Sequence, residues 1–136
     1  MKVCRVVVCL VAVMMIAPLV ANAQTSEVLT FNVPFDFAVG KTVMPAGHYV
    51  VQTNASRNNL MIRNDHHSAV VTTQTIDASA GAGHSARLLF RRFDGHYVLA
   101  EMWGDDQTYG HAVPVVLAGP STRMAKADVV EVKAGQ

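Results

Sequence analysis

The amino-acid sequence predicts an all-β protein, an antiparallel meander that forms a β-sandwich or a small flattened β-barrel. Three observations support this prediction. Apolar and polar residues alternate with a period of two along much of the chain from Glu27 onward. Glycine, proline, asparagine and aspartate separate the short apolar runs, as expected between antiparallel strands. Asp94-Gly95 lies between two apolar-rich runs and is a typical two-residue hairpin turn.

The first 23 residues have the composition of a cleaved secretory signal peptide. Lys2 and Arg5 precede an apolar run over 6–20, and the small-residue pattern Ala21-Asn22-Ala23 follows it. The apolar run has about 15 residues, fewer than the ~20 that a helix needs to span a bilayer. The sequence therefore predicts cleavage after Ala23 and a secreted or periplasmic protein with no membrane span after cleavage.

Cleavage would leave residues 24–136 as a single all-β domain, with a less regular tail from about residue 118. The chain has 11 basic and 10 acidic residues, and Lys2 and Arg5 would leave with the signal, so nine basic residues would remain. Such a near-neutral domain lacks the basic surface that nucleic-acid binding requires, so no nucleic-acid partner is expected. Cys4 and Cys9 would also be removed. The domain is therefore expected to fold by packing alone, without disulfides.

The first half of the predicted domain consists of short strands separated by turn sequences. Pro34 has no N–H to donate to a neighbouring strand, so the first strand is expected to end, to bulge or to lie at a sheet edge there. Gly40-Lys41 fits a two-residue hairpin turn that begins with glycine, and Met44-Pro45-Ala46-Gly47 fits a β-turn. Phe35 and Phe37 alternate with polar Asp36, so pairing is expected to resume after Pro34. The strands predicted in this half span 28–33, 48–53, 60–63 and 69–76.

The hairpin across Asp94-Gly95 is the most strongly specified element, because a two-residue loop fixes the register of both strands. In that register Phe90 faces Leu99, Leu88 faces Glu101 and Ala86 faces Trp103. The richest apolar face of the chain follows, and we expect it to face the core: Leu88, Phe90, Tyr97, Leu99 and Trp103. Beyond this hairpin, weaker strand patterns occur at 112–117, where Pro114 interrupts, and at 128–132.

The predicted register also turns Glu101 toward the apolar face, where a lone carboxylate is costly unless it is paired or hydrated. If the sheet curls into a barrel, Tyr97, Glu101 and Trp103 would line a small-ligand cavity. Two alternatives remain open. A β-bulge would turn Glu101 outward, or Arg92 or Arg63 would pair with it internally.

Catalytic signatures are missing from the sequence. It contains no nucleophile elbow, no zinc-protease helix, no phosphate-binding loop and no dinucleotide fingerprint. We therefore expect neither an enzyme nor a bound cofactor.

Six histidines are the remaining chemical lead, since histidine is the commonest metal ligand. They are His48, His66, His67, His84, His96 and His111. His66 and His67, beside Asp65, form the densest cluster and are secondary metal candidates. Adjacent residues of a strand point to opposite faces, so the pair would chelate one ion only within a turn. The alternative interpretation is that all six are solvated loop and strand-end side chains.

Three segments together resemble a group of small secreted β-proteins of unknown function from soil bacteria, notably acidobacteria. The segments are FNVPFDFAVG at 31–40, MPAGHYVV at 44–51 and LLFRRFDGHYVLAEMW at 88–103. Met44 stands where leucine is usual, a mild apolar exchange. The resemblance implies an exported all-β domain and carries no catalytic or binding residues with it.

These observations predict a non-enzymatic structural, envelope-associated or interaction protein, with a protein or small-ligand partner that the sequence leaves unidentified. The alternative is a small-ligand or carbohydrate-binding barrel or sandwich. A deep cavity containing Glu101 would favour the ligand binder, whereas a filled core with an exposed apolar patch or a bare edge strand would favour the interaction protein.

Overall fold

The computed structural model describes residues 26–54, 58–77, 85–105, 108–115 and 128–135. The predicted signal peptide and most of the predicted tail lie outside these ranges. No helix that could cross a membrane is found within them. The described residues form eleven strands: β1 Val28–Val33, β2 Phe37–Val39, β3 Thr42–Met44, β4 Gly47–Asn54, β5 Asn59–Arg63, β6 Ser68–Thr72, β7 Gln74–Asp77, β8 Arg87–Phe93, β9 His96–Trp103, β10 Tyr109–Ala112 and β11 Asp128–Lys133.

Two sheets pack face to face and do not close into a barrel, which confirms the prediction of an all-β sandwich. The first sheet has four strands in the order β1-β4-β5-β6. The second has seven strands, with the path β11-β8-β9-β10-β7 and with β2 and β3 attached through β9. One edge of β9 pairs with β8, and the other is divided between β2, which is parallel to it, and β10, which is antiparallel.

The meander prediction is only partly right. Sequential antiparallel pairing holds for β4-β5-β6 and for β8-β9-β10. It fails at β1, which pairs with β4 because the chain leaves the first sheet after Pro34 and makes the β2–β3 hairpin in the second. It fails again at the outer strands of the second sheet, where β7 and β11 reach their partners from distant parts of the chain.

The core lies between the sheets and is built by alternation along the strands. The first sheet contributes seven buried apolar side chains to the core, Phe31, Val33, Tyr49, Val51, Leu60, Ile62 and Ala69. The second contributes seven more, Phe37, Val39, Met44, Leu88, Phe90, Leu99 and Met102. The Phe37 ring meets Tyr49 edge-on at a centroid distance of 5.3 Å and Phe90 at 5.2 Å, so aromatic contacts join the two layers.

The turn sequences predicted before β4 form as expected. Gly40-Lys41 is the loop between Val39 and Thr42, which pair, and Gly40 has the positive φ of 59° that such a loop requires. The turn at 44–47 is fixed by two side chains. Asp36 Oδ1 accepts a hydrogen bond from the Ala46 N–H at 2.8 Å, and the Tyr49 hydroxyl donates to the Pro45 carbonyl at 2.6 Å.

The single strand predicted at 69–76 is wrong, because the chain changes sheets at Thr73. β6 belongs to the first sheet and β7 to the second. Thr73 is buried at the crossing, and its N–H donates to the Asn58 carbonyl at 2.7 Å. The uncharged, β-branched sequence is compatible with a strand throughout, so the local pattern gives no sign of the break.

Near the C-terminus the two weaker strand predictions have different outcomes. β10 lies at Tyr109–Ala112 and ends where the predicted strand at 112–117 begins. The strand predicted at 128–132 is confirmed as β11, which pairs with β8.

Because Phe90 is buried against the rings of Phe35 and Phe37, Phe90→Ala should destabilise the fold by about 3–5 kcal/mol, the usual cost of emptying a buried aromatic site. Val129→Ala, on a side chain that is 64% exposed, should change stability by less than ~0.5 kcal/mol. Urea unfolding of both variants measures the difference. Equal midpoints for the two variants would contradict this account of the core.

Candidate functional site

The hairpin across Asp94-Gly95 keeps its predicted register for four pairs and then shifts. Both turn residues have positive φ, 45° and 82°, as the predicted turn type requires. Phe90 faces Leu99 as expected. A β-bulge between Leu89 and Phe90 then moves the later pairs by one residue, because β9 carries one residue more than β8 there.

The bulge reverses the faces of the end of β9. Leu88 now faces Met102, which is buried in the core, whereas Trp103 faces Arg87 on the outer side of the second sheet. The prediction that Trp103 shares the core face with Leu88 is therefore wrong, since a one-residue shift moves every later side chain to the other face. The bulge alternative for Glu101 is the one that the register supports.

The predicted ligand residues consequently do not form one site. Tyr97 stays on the core side, where its ring stacks on Phe35 with centroids 3.9 Å apart and an interplanar angle of 18°. Glu101 and Trp103 lie together on the opposite face. The Trp103 Nε1–H donates to Glu101 Oε2 at 2.9 Å, so the carboxylate has a hydrogen-bond partner within the protein.

The outer-face cluster around Trp103 is packed rather than open. Trp103 is 7% exposed and Arg87 is 8% exposed. The Arg87 guanidinium carbon lies 5.3 Å from the centroid of the indole ring, a cation–π contact. Gly110 pairs with Trp103, and a Cβ there would approach the ring to 2.7 Å. The indole thus fills the space that glycine leaves, and it offers no stacking surface to a sugar.

The histidine pair proposed for metal binding does sit in a turn. Asn64 Oδ1 accepts hydrogen bonds from the backbone N–H groups of His66 at 2.9 Å and of His67 at 2.7 Å. Asp65 and both histidines are exposed. Over the described ranges no group of three or more histidine, cysteine, aspartate or glutamate side chains is placed to hold a metal ion. His84 lies outside those ranges.

His111 contradicts the expectation that every histidine is solvated. It faces Met102 across the pairing of β9 and β10, on the core side, and is 3% exposed. Its Nδ1 lies 3.4 Å from Thr73 Oγ1, the side chain at which the chain changes sheets. Burial lowers the pKa of His111, because the charged ring would lose its hydration. Tyr109 shares a face of β10 with His111 and is exposed, so the alternation along this strand does not signal the burial of His111.

A shallow groove of about 350 Å³ lies against the first sheet. Pairing places Asn32 opposite His48, and Val50 between Thr30 and Arg63. The groove residues from these strands and the following turn are Thr30, Phe31, Asn32, His48, Tyr49, Val50, Arg63, Asn64 and Asp65. Its volume falls at the lower end of the ~300–1,000 Å³ found for small-molecule sites. Sequence reasoning missed this site because Arg63 and His48 are distant in the chain.

The outer edge of β6 is a second candidate binding site. The hydrogen bonds at the two ends of the β5–β6 pairing show which main-chain groups of β6 point outward. The Asn64 N–H donates to the His67 carbonyl at 2.9 Å, and the Thr73 N–H donates to the Asn58 carbonyl at 2.7 Å. Hydrogen-bonded pairs alternate along an antiparallel ladder, so Ala69 and Val71 bond inward to β5. The outward-directed N–H and C=O groups are those of Ser68, Val70 and Thr72. No described strand pairs with them.

This edge carries less charge than the edges formed by β11 and β7. The whole segment 68–76 contains no charged residue and no proline. By contrast, β11 carries Asp128, Glu131 and Lys133, and β7 ends at Asp77. On the other side of the first sheet, β1 is covered in part by a bridge from Phe31 to Ala134. Natural proteins usually protect an edge with charge, proline or a covering segment. β6 contains neither charge nor proline, and the other uncharged edge strand without a described cover, β3, has only three residues between Lys41 and Pro45.

No family model matches the chain, and neither the curated proteins nor the solved structures include a match to it. The resemblance to small secreted acidobacterial proteins therefore stays a prediction.

The buried His111 predicts a pH dependence of stability. Its pKa is lowered in the folded state, so below about 6.5, the ordinary value, the unfolded chain binds more protons than the folded one. The contribution of neutral His111 to the free energy of unfolding should therefore be complete above that pH. The free energy of unfolding should decrease as the pH falls toward the folded-state pKa.

Urea unfolding at a series of pH values measures the effect. His111→Gln should flatten the slope below pH 6.5 relative to the wild type, while His96→Gln, at an exposed strand end, should leave it unchanged. An identical slope in the wild type and His111→Gln would show that His111 does not control this acid sensitivity.

Proposed function

We propose that the protein is an exported, non-enzymatic interaction protein that adds an extended strand of a partner to the free edge of β6. One observation carries the proposal. The N–H and C=O groups of Ser68, Val70 and Thr72 point outward along an uncharged edge and pair with no described strand. A partner strand gains main-chain hydrogen bonds there, which is the general basis of β-strand addition.

The side chains of β6 are suited to such pairing. Val70 is 61% exposed and offers an apolar, β-branched contact to an incoming strand. Ala69 and Val71 point inward, and Gly40 approaches Val71 so closely that a Cβ on the glycine would lie 3.2 Å from Val71 Cγ1. The β2–β3 turn therefore supports the inner face of β6 and holds the edge in place.

The filled interior favours an interaction protein over a ligand-binding barrel. The core side chains, including large ones such as Tyr49 and smaller ones such as Val39, are almost fully buried. Glu101 does not line the interior, because it lies on the outer face beside Trp103. The absence of a catalytic motif in the sequence supports a non-enzymatic role. Export is inferred from the charged, apolar and small-residue pattern of residues 1–23.

Site-specific photo-crosslinking in the producing cell tests the proposal. Benzoylphenylalanine at position 70 should crosslink to a segment of the partner polypeptide, because a strand docked on β6 would place its main chain beside that side chain. The matched control is the same substitution at Val129, which is exposed to a similar extent, 64% against 61%, but lies on a charged strand. Mass spectrometry identifies the crosslinked segment and reads the N-terminus of the exported protein, expected at Gln24.

Two outcomes would contradict the proposal. Crosslinking at position 70 no stronger than at position 129 would rule out strand addition at β6. An exported protein that retains residues 1–23 would show that the signal is not cleaved.

The groove on the first sheet supports a second candidate function, the binding of a small polar ligand with an anionic group. Arg63 and His48 line this groove, and neither makes a hydrogen bond or ion pair with a described residue. A guanidinium recognises carboxylates through two parallel hydrogen bonds, so Arg63 favours an acidic ligand over a neutral one.

Glucuronate and glucose provide matched probes, because they differ in the carboxylate. Glucuronate should shift the backbone NMR signals of the groove residues in the wild type, and glucose should not. Arg63→Ala should abolish the shifts, whereas Arg91→Ala, an exposed arginine of β8, should not affect them. Equal responses to the two sugars, or to the two variants, would contradict an arginine-centred anion site.

A further inference from the structure

We infer that the partner of β6 is a second copy of this chain, paired antiparallel, β6 to β6, about a two-fold axis at Val70. The inference rests on the proposed strand addition and names its occupant. Most oligomers of identical chains are two-fold dimers in which the same surface is used by both copies. An edge strand can meet this condition whenever its outward groups are arranged symmetrically about one residue.

The outward groups of β6 have that symmetry. They belong to Ser68, Val70 and Thr72, so a two-fold axis at the central valine pairs each N–H with a C=O of the other copy. Val70 then faces its own counterpart, and Ser68 faces Thr72. Pairs of β-branched residues and pairs of hydroxyl residues both stabilise neighbouring antiparallel strands. The register is thus favourable at all three outward positions.

Charge does not oppose this pairing. No residue of β6 is charged. The nearest cationic side chain on the same face is that of Arg63, which pairs with Ser68 across β5 and β6. In the proposed register the two Arg63 residues lie at opposite ends of the joined strands, on the order of 20 Å apart given the strand spacing and rise. That separation exceeds the Debye length of about 8 Å at physiological ionic strength.

The joined strands would make one continuous sheet from the two four-stranded sheets. The contact consists of about six main-chain hydrogen bonds and the facing side chains of one short strand from each copy. A contact of this extent is small, and interfaces that bury less than ~1,200 Å² are typical of transient complexes. The dimer should therefore form in a concentration-dependent manner.

Cysteine substitutions test the register in a background with Cys4→Ser and Cys9→Ser. Val70→Cys should form a disulfide between two copies under mild oxidation, because directly opposed residues have Cα atoms about 5.5 Å apart, within disulfide range. Ser68→Cys alone and Thr72→Cys alone should not link, since each would lie roughly 14 Å from its own counterpart. A mixture of these two variants should link. Val129→Cys is the control for chance collisions.

Sedimentation equilibrium of the unlinked chain gives an independent measurement. The average mass of the wild type should rise from one chain toward two as the concentration increases. Val70→Pro should remain a monomer, because proline removes an N–H that points away from β5 and so leaves the pairing inside the sheet intact. Thermal unfolding checks that this variant is folded.

The outcomes separate the two proposals. A wild-type chain that stays monomeric up to its solubility limit, or Val70→Cys linking no faster than Val129→Cys, overturns the second-copy inference. If photo-crosslinking at position 70 then captures another protein, the proposed strand addition still holds with a different partner. If position 70 captures nothing, both proposals are wrong.

Discussion

The contact of the Phe37 ring with Tyr49 and Phe90 is the interaction on which the rest of the structure depends. Tyr49 belongs to the first sheet and Phe90 to the second, and the ring of Phe37 meets both edge-on at 5.3 and 5.2 Å. Phe37 reaches this position because Pro34 ends β1 and lets the chain cross to pair with β9. These rings lie between the two layers and contribute to their spacing. The same crossing of the chain carries the β2–β3 turn to its position against Val71 of β6.

Two interruptions of regular pairing decide which groups are available for binding. The bulge between Leu89 and Phe90 turns Glu101 and Trp103 outward, where they satisfy each other by a hydrogen bond. The crossing at Thr73 takes β7 to the second sheet and leaves β6 at the edge of the first. The first interruption separates the predicted ligand residues, and the second leaves the strand edge at which we propose partner binding.

Predictions from local sequence succeeded where one short-range rule controls the outcome. The Asp94-Gly95 turn set the register as far as Phe90, and Pro34 and Gly40 ended or turned strands as expected. They failed where residues distant in sequence compete for the same space. The sequence of 69–76 suits a strand throughout, and only the position of the second sheet explains its break at Thr73.

The sequence by itself determined that the protein is all-β, which side chains alternate along most strands, and where the tight turns lie, because these properties depend on neighbouring residues. Only the tertiary structure decided the face of Trp103, the burial of His111, the groove around Arg63 and the position of β6 at the end of the first sheet. Each of these depends on which strands become neighbours, and that is set by packing between residues far apart in the chain. The position of β6 at a sheet edge is therefore a property of the assembled sandwich, although its uncharged composition is visible in the sequence.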